Sequence, residues 1–128
     1  MDTRRFNDAP VGIALIGVGG DDCGRIVRAN RAFGTLLAST PDELAGASMC
    51  DRIHSDDRAR AADEFARLIG QAGGSCEGEG RLLTTDGQTR WVRVHAGLLP
   101  TDGVARALVM IHVIQIAELT TRPDPSAR

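Results

Sequence analysis

Branched and small side chains alternate over residues 11–17, a period of two that predicts a strand, and residues 25–29 predict a second. The turn formers Gly19, Gly20, Asp21, Asp22 and Gly24 lie between them, so the two strands read as a β-hairpin with a long loop. The period then changes. Phe33, Leu36 and Leu37 follow Asn30 at helical spacing, and an Asn at that point suits the N-cap. Thr40-Pro41-Asp42-Glu43 is a fuller start signal, with Thr40 as N-cap, Pro41 at the first helical position and Glu43 closing a capping box. Gly46 ends that short helix, and residues 48–51 begin another. The longest helix is predicted over residues 56–70, with Ser55 as cap and Asp56 and Asp57 placing negative charge at its N-terminus. Ala62, Phe65, Ala66 and Ile69 give it one apolar face.

The last third reads as a β-meander, with Asp86-Gly87 and Asp102-Gly103 as turn dipeptides between runs rich in Val, Leu and Ile. A four-residue loop over residues 100–103 sets Val94 opposite Val109, Val92 opposite Ile111 and Trp91 opposite His112. Side chains alternate across a strand, so Val92, Val94, Val109 and Ile111 share one face. Trp91, Arg93, His95, Leu108, Met110, His112 and Ile114 share the other. The order β-β-α-α-α-β-β-β is an α+β layout in which a helical insert between strands 2 and 3 covers one face of a five-stranded antiparallel sheet. Residues 1–10 form a polar lead, 11–118 the domain, and 119–128 a flexible tail or linker.

Composition narrows the function classes. A chain of 128 residues is enough for one core without metal or disulfide staples. A net charge of −2 provides no basic footprint, so no nucleic-acid or membrane partner is expected. No segment reads as a membrane span or a signal peptide. Cys23, Cys50 and Cys76 are odd in number and form no C-x-x-C pair, which fits a reducing cytoplasm and predicts no metal site.

Five pieces in order resemble the PAS family of sensor and interaction domains. They are the entry Phe6 to Ile13, Asn30 at the first helix, the string Pro41-Asp42-Glu43-Leu44-Ala45-Gly46, the string His54-Ser55-Asp56-Asp57 before the long helix, and Arg81 with Asp86-Gly87 and Arg90-Trp91-Val92. The resemblance covers residues 6–118 and implies a sheet whose inner face and helices enclose a small pocket. It also implies regulation of an attached or partner effector, such as a histidine kinase, a cyclic-di-nucleotide enzyme, a phosphatase or a transcription regulator, without catalysis. Where many members close with Asp-Ile-Thr, this chain has Gln115-Ile116-Ala117, so the side chains that usually hold that exit are missing.

Candidate chemistry is sparse. Cys50 and His54 stand four apart, but a nucleophile pair also needs an orienting group and an oxyanion site. They read instead as a small buried thiol and a structural imidazole, and no enzyme is expected. Flavin is disfavoured because light-sensing members hold their Cys within Asn-Cys-Arg-Phe-Leu-Gln, unlike residues 48–53. Haem is disfavoured because residues 56–70 hold no His, and His95 and His112 fall on the face away from the pocket. Phe65, Ile69, Val92, Val94, Val109 and Ile111 are the residues that would line a pocket for a small apolar ligand, or else pack as a closed core, which is the expected arrangement. The opposite face, with Trp91, His95, Leu108, Met110, His112 and Ile114, is too apolar to stay in water. Burial in a homodimer or against an effector is expected, with cover by the termini as the alternative.

Overall fold

A computed structural model describes residues 3–18, 24–70, 74–99 and 108–116. It consists of α1 (Thr3–Asp8), β1 (Gly12–Gly17), β2 (Ile26–Ala29), α2 (Arg31–Leu36), α3 (Pro41–Leu44), two 3-10 turns (Cys50–Arg52 and Ser55–Asp57), α4 (Arg58–Ile69), β3 (Ser75–Leu83), β4 (Thr89–Leu99) and β5 (Leu108–Gln115). The five strands form one antiparallel sheet in the order β2-β1-β5-β4-β3. This is the α+β architecture read from the sequence, with the helical insert between β2 and β3.

The core lies between the insert and the inner sheet face. Ala14 and Ile16 of β1, Val92 and Ala96 of β4, and Val109, Ile111 and Val113 of β5 are buried there by strand alternation, and Ile26 and Ala29 of β2 are both buried because the β1–β2 register shifts between Leu15 and Ile16. Phe33, Leu37, Leu44 and Leu68 close it from the helices. The caps formed as predicted: Asn30 Oδ1 accepts from Phe33 N at 2.9 Å, and Thr40 with Glu43 completes a capping box. Asp86-Gly87 forms the β3–β4 turn, with Gly87 at φ +91° and its N–H donating to Thr84 O.

Several expectations are corrected. The lead is partly helical: α1 has no apolar stripe to announce it, and is fixed by tertiary bonds, with Asn30 Nδ2 donating to Phe6 O at 2.9 Å and Arg28 lying 4.3 Å over the Phe6 ring. The β4–β5 register differs, with Val94 opposite Val113, Val92 opposite Gln115 and His95 opposite His112. The strands run on to Leu99 and resume at Leu108, so the connection is longer than a four-residue loop; the Asp102-Gly103 turn lies outside the described residues. The shift is even, which leaves every side chain on its predicted face.

The long helix is α4, shorter than predicted and entered through a 3-10 turn. Ser55 does not cap it: His54 Nδ1 accepts from Asp56 N at 3.1 Å, while Asp57 turns toward β3. Leu68 is the buried residue of α4, Ala61 and Phe65 are half-buried beside it, and Ala62 and Ala66 are exposed. Residues 48–51 begin no α-helix; Ser48 bridges to Arg25, and only Cys50–Arg52 coils. Cys50 is exposed, not buried. The loop residues 19–23, the exit residue Ala117 and the tail lie outside the described residues.

Candidate functional site

A cavity of about 320 Å³ lies between α4 and the inner sheet face. Side-chain size produces it. Ala96, Cys76 and two glycines, Gly78 and Gly80, occupy inward positions of β4 and β3 opposite α4, so the helix meets too little volume to close the interior at normal packing density. The floor is Ile16, Val92, Val94, Val109 and Ile111; Phe65 and Leu68 form the roof, and Met49 and Ile53 one wall. Of the residues predicted from sequence, Phe65, Val92, Val94, Val109 and Ile111 are thus brought together around the cavity, and Ile69 is not among its lining. The same residues belong to the packed core, Val92, Val109 and Ile111 within it and Phe65 and Val94 against it, and the cavity lies beside them. Both Cys50 and Cys76 border it. Burial, reinforced by the nearby Glu64 carboxylate, pushes the Cys76 thiol pKa up and keeps it protonated.

Charge collects where the cavity opens. Asp57, 6% exposed, accepts from Arg81 N at 2.9 Å, Arg81 Nε at 3.2 Å and Arg81 Nη2 at 2.8 Å. Arg60 Nη2 stands 3.6 Å from the same carboxylate. The Arg81 hydrogen bond is the main reason that the Asp57 pKa lies below its ordinary value, against the opposing effect of burial. Backbone pairing adds to this corner, with His54 N donating to Arg81 O and an isolated bridge between Ile53 and Leu82. The edge of β3 is therefore paired at its Arg81–Leu82 end by the segment before α4.

Sequence reasoning missed the Asp57–Arg81 pair, because 24 residues separate the partners. It also missed Met49, Ile53, Leu68, Leu82 and Ala96 of the lining. Strand alternation over β3 and the spacing 61, 65, 68 on α4 carry the signal that would have found several of them.

The other sheet face carries the second group of candidates. His95 lies opposite His112, with ring centroids 6.3 Å apart, and Trp91 opposite Arg81, whose guanidinium carbon is 5.1 Å from the Trp ring centre. Leu108, Met110, His112 and Trp91 are half-buried, and Ile114 is 42% exposed. Arg93 pairs with Glu79 at 2.9 Å along the same face. A more open depression of about 710 Å³ lies between α1, α2 and the end of β5, bordered by Asp8, Arg31, Arg90 and Gln115. Among the described residues no group of three or more His, Cys, Asp or Glu is placed to hold a metal ion, and no helix is long and apolar enough to cross a membrane.

A sheet in this strand order with the insert over one face defines a class, and comparison with known proteins gives the same one. The family model for the PAS fold matches residues 26–112. This chain belongs to the PAS family. Similar solved structures include the PAS domain of an HTR-like protein from Haloarcula marismortui, at 20% identity over 88% of this chain and 86% of that one, TM-score 0.73. Another is a domain of a sensory box sensor histidine kinase/response regulator from Geobacter sulfurreducens, at 25% identity over 86% and 88%, TM-score 0.68. A third is the PAS domain of a LuxR-family transcriptional regulator from Burkholderia thailandensis in complex with ethanol, at 19% identity over 89% and 97%, TM-score 0.67. No curated protein matches the chain significantly. The domain is a sensor and interaction module of the signalling type, and domains of this family are in general non-catalytic.

Proposed function

We propose that this domain senses a small, mainly apolar ligand held between α4 and the inner sheet face. The observation that carries the reading is the aliphatic cavity of about 320 Å³, within the size range of small-molecule sites. Haem and flavin are not proposed as its occupant. No histidine stands among the described lining residues to serve as an axial ligand. Cys50 is at the cavity edge on a 3-10 turn, in a sequence context unlike that of the flavin-binding members. Native mass spectrometry of the purified protein, with calorimetry of small alcohols, tests the reading. Val94→Phe, which fills the space, is expected to abolish binding while the fold persists. Wild type that neither retains nor takes up any small apolar molecule sinks it.

The outer face supports a second part of the reading, that the signal leaves through contact with a second copy or an attached effector in the cytoplasm. Trp91, Leu108, Met110 and Ile114 form an apolar group on a face that an antiparallel sheet ordinarily leaves polar. The ligand would act by binding two arrangements of that contact with different affinity.

A further inference from the structure

Charged side chains border the cavity beside α4 and β3. Gly80 turns no side chain inward, and a β-carbon there would lie 3.5 Å from Arg60 Nη2 and 3.6 Å from Asp57 Oδ2. Guanidinium and carboxylate therefore reach the backbone directly beside the apolar interior. Three guanidiniums border the space, those of Arg58, Arg60 and Arg81, together with the carboxylates of Asp57, Glu64 and Glu79. Glu79 is engaged elsewhere, 2.9 Å from Arg93 on the outer face. Two of the guanidiniums share one carboxylate, Asp57, which lies 2.8 Å from Arg81 Nη2 and 3.6 Å from Arg60 Nη2. Moreover, Arg58 Nε donates to Ile53 O and Arg60 Nη2 to Glu79 O, both neutral carbonyls. A guanidinium bonded to carbonyls gains more from a carboxylate, which accepts charge-assisted bonds in the fork geometry that Arg presents.

Arg81 also reaches across the sheet edge. The guanidinium that clasps Asp57 is the one that lies over the Trp91 ring. One side chain thus touches both the cavity mouth and the outer face.

We propose that the ligands of this cavity are aliphatic monocarboxylates, with the alkyl chain inside and the carboxylate at Arg60 and Arg81, where it competes with Asp57 and moves Arg81 over Trp91. The inference rests on the cavity being a ligand site, as proposed above. An alcohol of equal chain length fills the same space but offers the guanidiniums no charge. An alkylammonium would bring a like charge against the Arg60 and Arg81 guanidiniums. A carboxylate that binds better when the Asp57–Arg81 clasp is loosened shifts the population toward that state.

The chain has one Trp and no Tyr, so its tryptophan emission reports on Trp91 alone. The test titrates the full chain with hexanoate, 1-hexanol and hexylamine, following calorimetry and Trp91 emission together. Hexanoate is expected to bind about tenfold tighter than hexanol, as a charge-assisted contact in place of a neutral one implies, and to shift the emission; hexanol is expected to bind without the shift. Arg60→Gln, at an exposed position that does not threaten folding, should reduce the preference to about twofold, and Arg81→Gln should remove the emission change. Hexanol or hexylamine binding as tightly as hexanoate, or a preference that survives Arg60→Gln, overturns the ligand class and leaves the cavity reading standing. Hexanoate binding with Trp91 emission unmoved overturns the coupling. If none of the three binds, both readings fall.

Discussion

Asn30 lies fully buried, and all four hydrogen bonds of its side chain go to backbone. Oδ1 accepts from Ile13 N and Phe33 N; Nδ2 donates to Phe6 O and Val11 O, each at 2.9 Å. One amide therefore ties α1, β1 and α2 together. Replacement by Ala leaves these groups in the interior without partners, and Asn30→Ala is expected to cost about 3–5 kcal/mol in urea denaturation, the range for breaking a buried network. Asp57 is the second such residue, and it is sensitive to pH. Its native pKa is depressed, chiefly by the Arg81 hydrogen bond, so its contribution is full above the ordinary carboxylate pKa of about 4 and is lost as pH falls through the lower native value. Asp57→Asn should be less stable than wild type at neutral pH by about 1–3 kcal/mol, and the gap should narrow on acidification. Urea midpoints measured across the acid range check this. The capping role of Asn30 was legible because its partner is three residues on. Its other bonds span 17 to 24 residues, and no local pattern displays such partners.

Elements were legible to the extent that their signals are local. The Thr40 box and the β3–β4 turn formed as read, since caps and turns are set by a few neighbouring residues. The α4 stripe was misread because alanine fits either side of a small helix, so Ala62 and Ala66 scored as apolar while they face water. The β4–β5 register depended on a loop length that two turn residues do not determine, although the faces survived because the displacement was even. The end of α2 supplies a prediction at this scale. Ala38 takes φ 57°, and the chain leaves the helix there with Ser39 N donating to Gly34 O and Thr85 Oγ1 to Ala38 O. A left-handed residue after a helix favours glycine. Because Ala38 is exposed and its contacts run through backbone, Ala38→Gly is expected to stabilise the protein by about 0.5–1 kcal/mol, read as a rise in the thermal midpoint.

At the scale of the whole molecule, the two faces of the sheet divide the work. The inner face builds the cavity, which the sequence did not reveal: an apolar pattern shows which residues point inward but not whether their volumes fill the space. The outer face carries Trp91, Leu108, Met110 and Ile114, the group proposed above for contact with a partner. Met110 sits on β5 between Leu15 of β1 and Gly97 of β4, near the middle of that face. Met110→Glu should therefore weaken any self-association, and sedimentation velocity of both proteins over a concentration series reads this directly. A wild type that stays monomeric at the highest attainable concentration removes the homodimer and leaves an attached effector as the partner.

The strand order has a consequence for how the chain is made. The last strand of the sheet to leave the ribosome, β5, is the central one, flanked by β1, the first made, and β4, the one made just before it. Until Leu108–Gln115 has emerged, β1 has a partner on one side only and Val109, Ile111 and Val113 are missing from the core. The hairpin of β1 and β2 must then wait until the helices, β3 and β4 have been made, with an open edge to protect. The domain cannot close during synthesis from its N-terminus; it closes in one late step, by insertion, and nascent chains stalled before β5 are the forms in which chaperone contact and aggregation should concentrate.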